Sequence, residues 1–248
     1  MMLETLMREW KAGSTYVDSF VTRYINEHEC MVMTNSDLSG VADEIIEREI
    51  LVHQTLGRSF EWKLFSCDLP SDLLDRLIAR GFEIGIKEVV CAMDITMQMP
   101  SANPDNRVER VRSDEQLKDF RWVAEEVFGK DYSYTTGELA KCIANGTEDQ
   151  VGFVAYDGST PVSIGRIYLA DGSACAGLYT GGTLSEYRGR GFYQAVVAAR
   201  ALYAKEKGAS IIWVDARPTS RRILERLGFE ALVETWPSEW TYSQVKQV

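Results

Sequence analysis

The sequence predicts an α/β (α+β) protein, on three observations. Stretches that alternate like strands are followed by stretches with helical spacing, in both halves of the chain. Asp157-Gly158 between two such strands is a hairpin signal. Two glycines, Gly189 and Gly191, open a run with few β-branched residues and no proline that reads as a long helix.

In chain order, residues 60–66 (FEWKLFS) alternate like a strand, and residues 71–80 read as a helix with Ser71 as N-cap. Gly81-Phe82-Glu83 breaks that helix, and 89–95 is a second strand. Residues 97–106 (MQMPSANPDN) hold two prolines and two asparagines without an apolar period, which marks a linker between units 1–104 and 105–248. Beyond it, Asp114 is placed to cap a helix through Val127. Residues 150–156 and 162–168 form the hairpin, and 174–183 is a third strand. Its Gly177, Gly181 and Gly182 weaken a strand unless a bulge or a close ligand approach needs them. The helix 192–207 ends at Lys205, Lys207 and Gly208, a C-terminal stop. Residues 211–216 are a buried strand, and Pro218 opens a helix ending at Gly228-Phe229.

Composition removes several function classes. Five scattered cysteines without a C-x-x-C argue against a metal or disulfide framework and for a reducing cytoplasm. No run approaches the ~20 apolar residues that span a bilayer, and MMLETLMREWKAG lacks a signal-peptide layout. The only histidines are His28 and His53, neither beside a Cys or Asp, so His-based nucleophilic catalysis and zinc hydrolysis have little to work with. G-x-S-x-G and the P-loop signature are absent. The net charge of −10 is uneven: residues 1–104 carry 9 basic against 17 acidic side chains, whereas 188–226 carry nine basic against three acidic. A basic island in an acidic chain suits a small polyanion better than a nucleic-acid backbone.

The island contains the most informative run, Tyr187-Arg188-Gly189-Arg190-Gly191-Phe192-Tyr193. A glycine loop feeding a helix N-terminus presents unpaired N–H groups and the positive end of the helix dipole, a site for an anion such as phosphate. A tight turn before a surface helix is the plainer reading of the same residues. A dinucleotide-binding Rossmann loop is the rival ligand site, but Gln194 stands where its third glycine belongs and residues 183–188 separate the glycines from the preceding strand.

Strand 174–183, the R-G-R-G loop, the long helix, the strand IIWVDA and the helix ending in LGF together resemble the GNAT superfamily of acyl-CoA-dependent N-acyltransferases. Arg188 to Gly191 match the family's [QR]-x-x-G-x-[GA] loop, with Tyr193 in place of the final small residue. The resemblance implies a mixed, mostly antiparallel sheet flanked by helices over roughly residues 107–232. It implies acetyl-CoA as cosubstrate, its pyrophosphate held by backbone N–H groups of Arg188, Gly189, Arg190, Gly191, Phe192 and Tyr193. The pantetheine arm would pair near Gly182 and Thr183, with Ser220 facing that arm. The acid that the family commonly supplies as tyrosine is Leu224 here, and Arg217 stands in an asparagine's place, so catalytic residues stay unassigned; Tyr179 and Asp215 are weak candidates for a base. The expected partner is a small-molecule or peptide amine, with no nucleic acid, membrane or metal. The alternative is a non-catalytic acyl-CoA-binding regulatory module.

The first half echoes the second: EWKLFSCDLPSDLLDRLIARGFE against IIWVDARPTSRRILERLGFE. It leaves open a degenerate GNAT-like copy without the acyl-CoA loop, the matching region around 43–58 reading EIIEREILVHQTLGR.

Overall fold

The structure, a computed structural model, describes residues 16–25, 29–101, 107–170 and 172–243. Part of the expected linker (102–106), His28 and the N-terminal segment read for a signal peptide lie outside the described residues.

The first half runs β1 (Tyr16–Val17), β2 (Val21–Ile25), β3 (Cys30–Thr34), α1 (Ala42–Leu56), β4 (Phe60–Phe65), α2 (Leu73–Ala79), β5 (Glu83–Ile84) and β6 (Glu88–Asp94). The second runs β7 (Val108–Arg110), α3 (Asp114–Phe128), α4 (Ser133–Asn145), β8 (Gln150–Asp157), β9 (Thr160–Tyr168), β10 (Cys175–Thr183), α5 (Phe192–Glu206), β11 (Ile211–Ala216), α6 (Pro218–Leu227) and β12 (Glu230–Trp240). One mixed, mostly antiparallel sheet joins them in the order β1-β2-β3-β4-β12-β6-β11-β10-β9-β8-β7, with β5 on β12. Its parallel pairs among the described residues are β3–β4 and β10–β11. Each is bridged by one helix, α1 or α5, as a parallel connection requires.

The two halves therefore repeat one path: a strand, a crossover helix, a parallel strand, a short helix, then a final strand. The final strands trade places. β6 of the first half pairs with β11, and β12 of the second half pairs with β4, while β6 and β12 pair with each other. Each half thus completes its sheet with the other's last strand.

One face of the sheet packs on α1 and α2 through Ile45, Ile46, Trp62, Leu73 and Leu77, and on α5 and α6 through Val89, Cys91, Met93, Val196 and Leu224. On the opposite face α3 and α4 cover Val154 and Ile164, and Met33, Phe65, Val90, Ala92, Trp213 and Val233 form a seam core between the halves.

Two expected caps are corrected. Ser113, not Asp114, caps α3, because its Oγ in extended backbone accepts from Gln116 N at 3.3 Å; Asp114 is the first helical residue. Asp72, not Ser71, occupies the α2 N-cap, without a side-chain cap bond. The first-half region expected to match R-G-R-G is the helix α1 itself, with Ile45, Ile46, Glu49 and His53 on its buried face. The topological counterpart of the loop is residues 35–41, with a single positive-φ glycine, Gly40.

Candidate functional site

β10 and β11 begin as a parallel pair at Cys175–Ile211, Ala176–Ile212 and Gly177–Trp213, and then part. The cause is local to β10. Its register against β9 slips between Tyr179 and Gly182, and Thr180 takes a φ of 50°, which non-glycine residues adopt rarely. Arg200 of α5, only 1% exposed, braces the slip: its guanidinium donates to Arg166 O at 3.1 Å and to Tyr179 O at 3.3 Å. Burial pushes the Arg200 guanidinium down to about 10, with nearby Tyr193 opposing. Gly182 lets α3 close over the strand, since a Cβ there would lie 2.7 Å from Val127 Cγ1. Gly181 makes room for Tyr193, whose Cε2 would be 3.2 Å from a Cβ at that position. The larger residue in the loop is thus matched by the glycine beneath it.

The parted strands open a cavity of about 990 Å³ between the end of α3, β10, the R-G-R-G loop, α5, β11 and α6. Gly189 and Gly191 hold φ at 74° and 85°, and Gly191 is the α5 N-cap. The first helical bond runs from Ala195 N to Gly191 O. The N–H groups of Phe192, Tyr193 and Gln194 therefore have no partner within the helix and face a site at its positive end. Of the residues singled out from sequence, Gly182, Thr183, Arg188, Gly189, Gly191, Phe192, Tyr193 and Ser220 line this cavity. Arg188 is steadied by its bond to Thr183 O (3.2 Å), and Ser220 Oγ donates to Arg217 O (3.2 Å). The side chain of Arg190 goes elsewhere, to Asp157 at 2.9 Å and over the Tyr187 and Phe192 rings.

Across the opening, charged side chains from both halves share one sheet face. Asp215 of β11 and Glu88 of β6 line the cavity with Arg217. Lys63 of β4, largely buried, forms an ion pair with Asp215, and Arg217 Nε donates to Glu88 Oε1 at 3.1 Å. Burial, then the Asp215 charge, raises the Glu88 carboxyl above its usual range. Tyr179, one of the weak candidates for a base, stacks edge-on against Trp213 at 5.7 Å, and burial drives its hydroxyl pKa up, which keeps it protonated. Leu224 is fully buried at the cavity wall. Lys63 and Glu88 escaped sequence reading because both precede the linker, on strands whose partners come from the far half. Among the described residues no group of three or more His, Cys, Asp or Glu could hold a metal ion.

Parted strands, a bulge and a glycine cradle at a helix N-terminus can be set beside known proteins. Residues 114–229 match the acetyltransferase (GNAT) family model. The chain is 30% identical over 123 residues to the uncharacterized N-acetyltransferase YjcF of Bacillus subtilis (strain 168), spanning 50% of this chain and 84% of that protein. This chain belongs to the GNAT acetyltransferase family. The fold agrees over nearly its whole length. A GCN5-related N-acetyltransferase from Kribbella flavida superposes with a TM-score of 0.71 at 16% identity, covering 98% of this chain and 95% of that one. One from Sphaerobacter thermophilus gives 0.63 at 13% identity over 97% and 86%. A tandem GNAT protein of clavulanic acid biosynthesis gives 0.56 at 10% over 91% and 79%. The GNAT fold thus accounts for the mixed sheet, and the likeness extends through the first half. No helix among the described residues is long and apolar enough to cross a membrane.

Proposed function

We propose that this GNAT protein transfers an acetyl group from acetyl-CoA to an amine, with the acyl-CoA lying in the opening between β10 and β11. The observation that carries the reading is the coincidence of unpaired strand edges with a cradle of free N–H groups in one cavity. A pyrophosphate suits Arg188 to Tyr193, because the backbone supplies several donors and the helix dipole adds to them. Gly182 and Thr183 lie where a pantetheine amide would add to the strand edge, and Ser220 faces it from α6. Residues 105–248 act as the acyl-CoA-binding unit. Residues 1–104 bind no cofactor and wall the acceptor side.

An amine with a pKa near ~10.4 is mostly charged at neutral pH and must lose a proton before it attacks. Glu88 is the carboxylate whose raised pKa and position in the cavity suit that task. The ammonium proton passes to Glu88 and then to solvent, and the freed nitrogen forms the C–N bond to the acetyl carbon. The C–S bond breaks, and the second nitrogen proton ends on the CoA sulfur. The cytoplasm, where acetyl-CoA and reduced cysteines coexist, is the compartment this reading implies.

The non-catalytic alternative, a module that only binds acyl-CoA, draws support from Leu224 standing where the family commonly has a tyrosine. Thiol release from acetyl-CoA with a panel of primary amines separates the two. Release that falls at least about tenfold in Glu88→Gln supports transfer. CoA binding without release from any amine supports the module.

A further inference from the structure

The opening between β10 and β11 has a closed end. Gly177–Trp213 is the last parallel pair before the strands part, so nothing threaded along the β10 edge from the R-G-R-G loop can run between the strands past it. The first β10 side chain beyond that pair on the face of Trp213 is Tyr179, two residues on. Tyr179 lines the cavity and keeps part of its surface exposed. Its ring folds back over Gly177, where a Cβ would lie 2.6 Å from Tyr179 Cε2 and 3.0 Å from its Oη. A glycine at 177 is what leaves room for it.

The neighbouring strands hold the ring in that place. Arg166, directly across on β9, sets its guanidinium 5.3 Å from the ring centroid and is itself tied to Gln150 Oε1 at 2.6 Å. On β11 the Trp213 ring meets Tyr179 edge-on, with 5.7 Å between centroids and planes 80° apart. A cation over the face and an aromatic neighbour set edge-on both favour this orientation of the ring. The ring is thus a fixed stop lying across the closed end of the opening.

An acyl-CoA that places its pyrophosphate at Arg188 to Tyr193 and its pantetheine arm beside Gly182 and Thr183 points its acyl group at this end. Resting on the acyltransferase reading above, we propose that Tyr179 is a specificity-determining residue that limits the acyl group to about the size of acetyl, with Gly177 as the position that admits its ring. Without the ring, the groove would extend over Gly177 by two residues of bare backbone, roughly 7 Å, which is room for a longer acyl chain.

The test is a calorimetric titration of the full chain with CoA, acetyl-CoA and butyryl-CoA, which reads the acyl end without needing the acceptor. CoA has no acyl group to meet the ring and serves as the reference in each variant. The wild-type chain should bind butyryl-CoA about tenfold or more weakly than acetyl-CoA, the scale on which a pocket refuses an extra methylene. Tyr179→Ala should remove that difference, and Tyr179→Phe, which keeps the ring, should retain it. A ring that only fills the core would instead lower the melting midpoint of Tyr179→Ala and leave the order of the thioesters unchanged. If Tyr179→Ala does not melt cooperatively, Tyr179→Leu is read by the same criterion. Three results would overturn the gate: equal binding of acetyl-CoA and butyryl-CoA by the wild-type chain, an unchanged order in the cooperatively melting small-residue variant, or loss of the order in Tyr179→Phe. CoA binding accompanied by any of these overturns the gate alone. Failure of CoA itself to bind sinks the acyltransferase reading and the gate with it.

Discussion

Gly191 holds a φ of 85° with open space around a would-be Cβ, its nearest neighbour being Gln194 Oε1 at 3.7 Å. The cost of a side chain there is backbone strain, roughly 1–2 kcal/mol, and not a clash within the chain. Gly191→Val should therefore keep a cooperative melt at a lowered midpoint while losing CoA binding, because the N–H groups it aims are turned away. Arg190→Ala should weaken CoA by about 1 kcal/mol at most, since its charge is spent on Asp157 at an exposed site. Calorimetric CoA titration with parallel melting checks both. Glu61 offers a pH-dependent counterpart. Burial raises its carboxyl pKa above the unfolded value, opposed by the Lys63 charge and reinforced by those of Asp215, Glu88 and Glu239. A folded pKa above the unfolded one gives stability that is complete below the unfolded pKa and lost as pH rises through the folded one. Glu61→Gln should then raise the melting midpoint at pH 7.5 and have little effect at pH 4. A larger gain at pH 4 would contradict this sign.

At the scale of elements, the opening depends on β10 being unable to stay regular. Gly182 sits against Val127 and Phe128 of α3, so Gly182→Ala must push the helix or the strand, a destabilisation of about 1–3 kcal/mol measurable by denaturant melting. Arg200 secures the bulge from behind, and Arg200→Leu should lower both stability and CoA affinity, because Tyr179 O and Arg166 O lose their donor. The loop and its flanking elements were legible in sequence for a physical reason. Glycine spacing, the Pro218 start and the Gly208 and Gly228 stops are local signals that the backbone must obey. The bulge was half legible, since three glycines in strand 174–183 signalled irregularity without saying where. α1 and α4 carry local signals too, buried positions three to four apart and αL caps at Gly57 and Gly146, but the match of 43–58 to the R-G-R-G region competes with the first, and the second has no glycine loop or proline start to mark it. β12 has no comparable local mark; its place is set by pairing with β4 and β6, contacts separated by well over a hundred residues.

The whole molecule is two copies of one path that close each other's sheets. Removing β12 strips a neighbour from both β4 and β6, so truncation after Phe229 should abolish cooperative folding of the first half and not merely shorten the second. Amide hydrogen exchange reads this directly, with protection lost across β4 and β6. For the same reason an isolated 1–104 piece would lack its own closing strand, and cofactor stoichiometry has to be read on the full chain. The central claim is that one acyl-CoA lies between β10 and β11 of the second half. A single calorimetric titration of CoA into the intact protein tests it, with NADH as comparison and the melting midpoint followed at saturation. One CoA per chain, no NADH binding, and a rise of roughly 5–10 °C at about a hundred times the dissociation constant are predicted. Two CoA per chain, equal stabilisation by NADH, or unaltered CoA affinity in a natively melting Gly191→Val would contradict it.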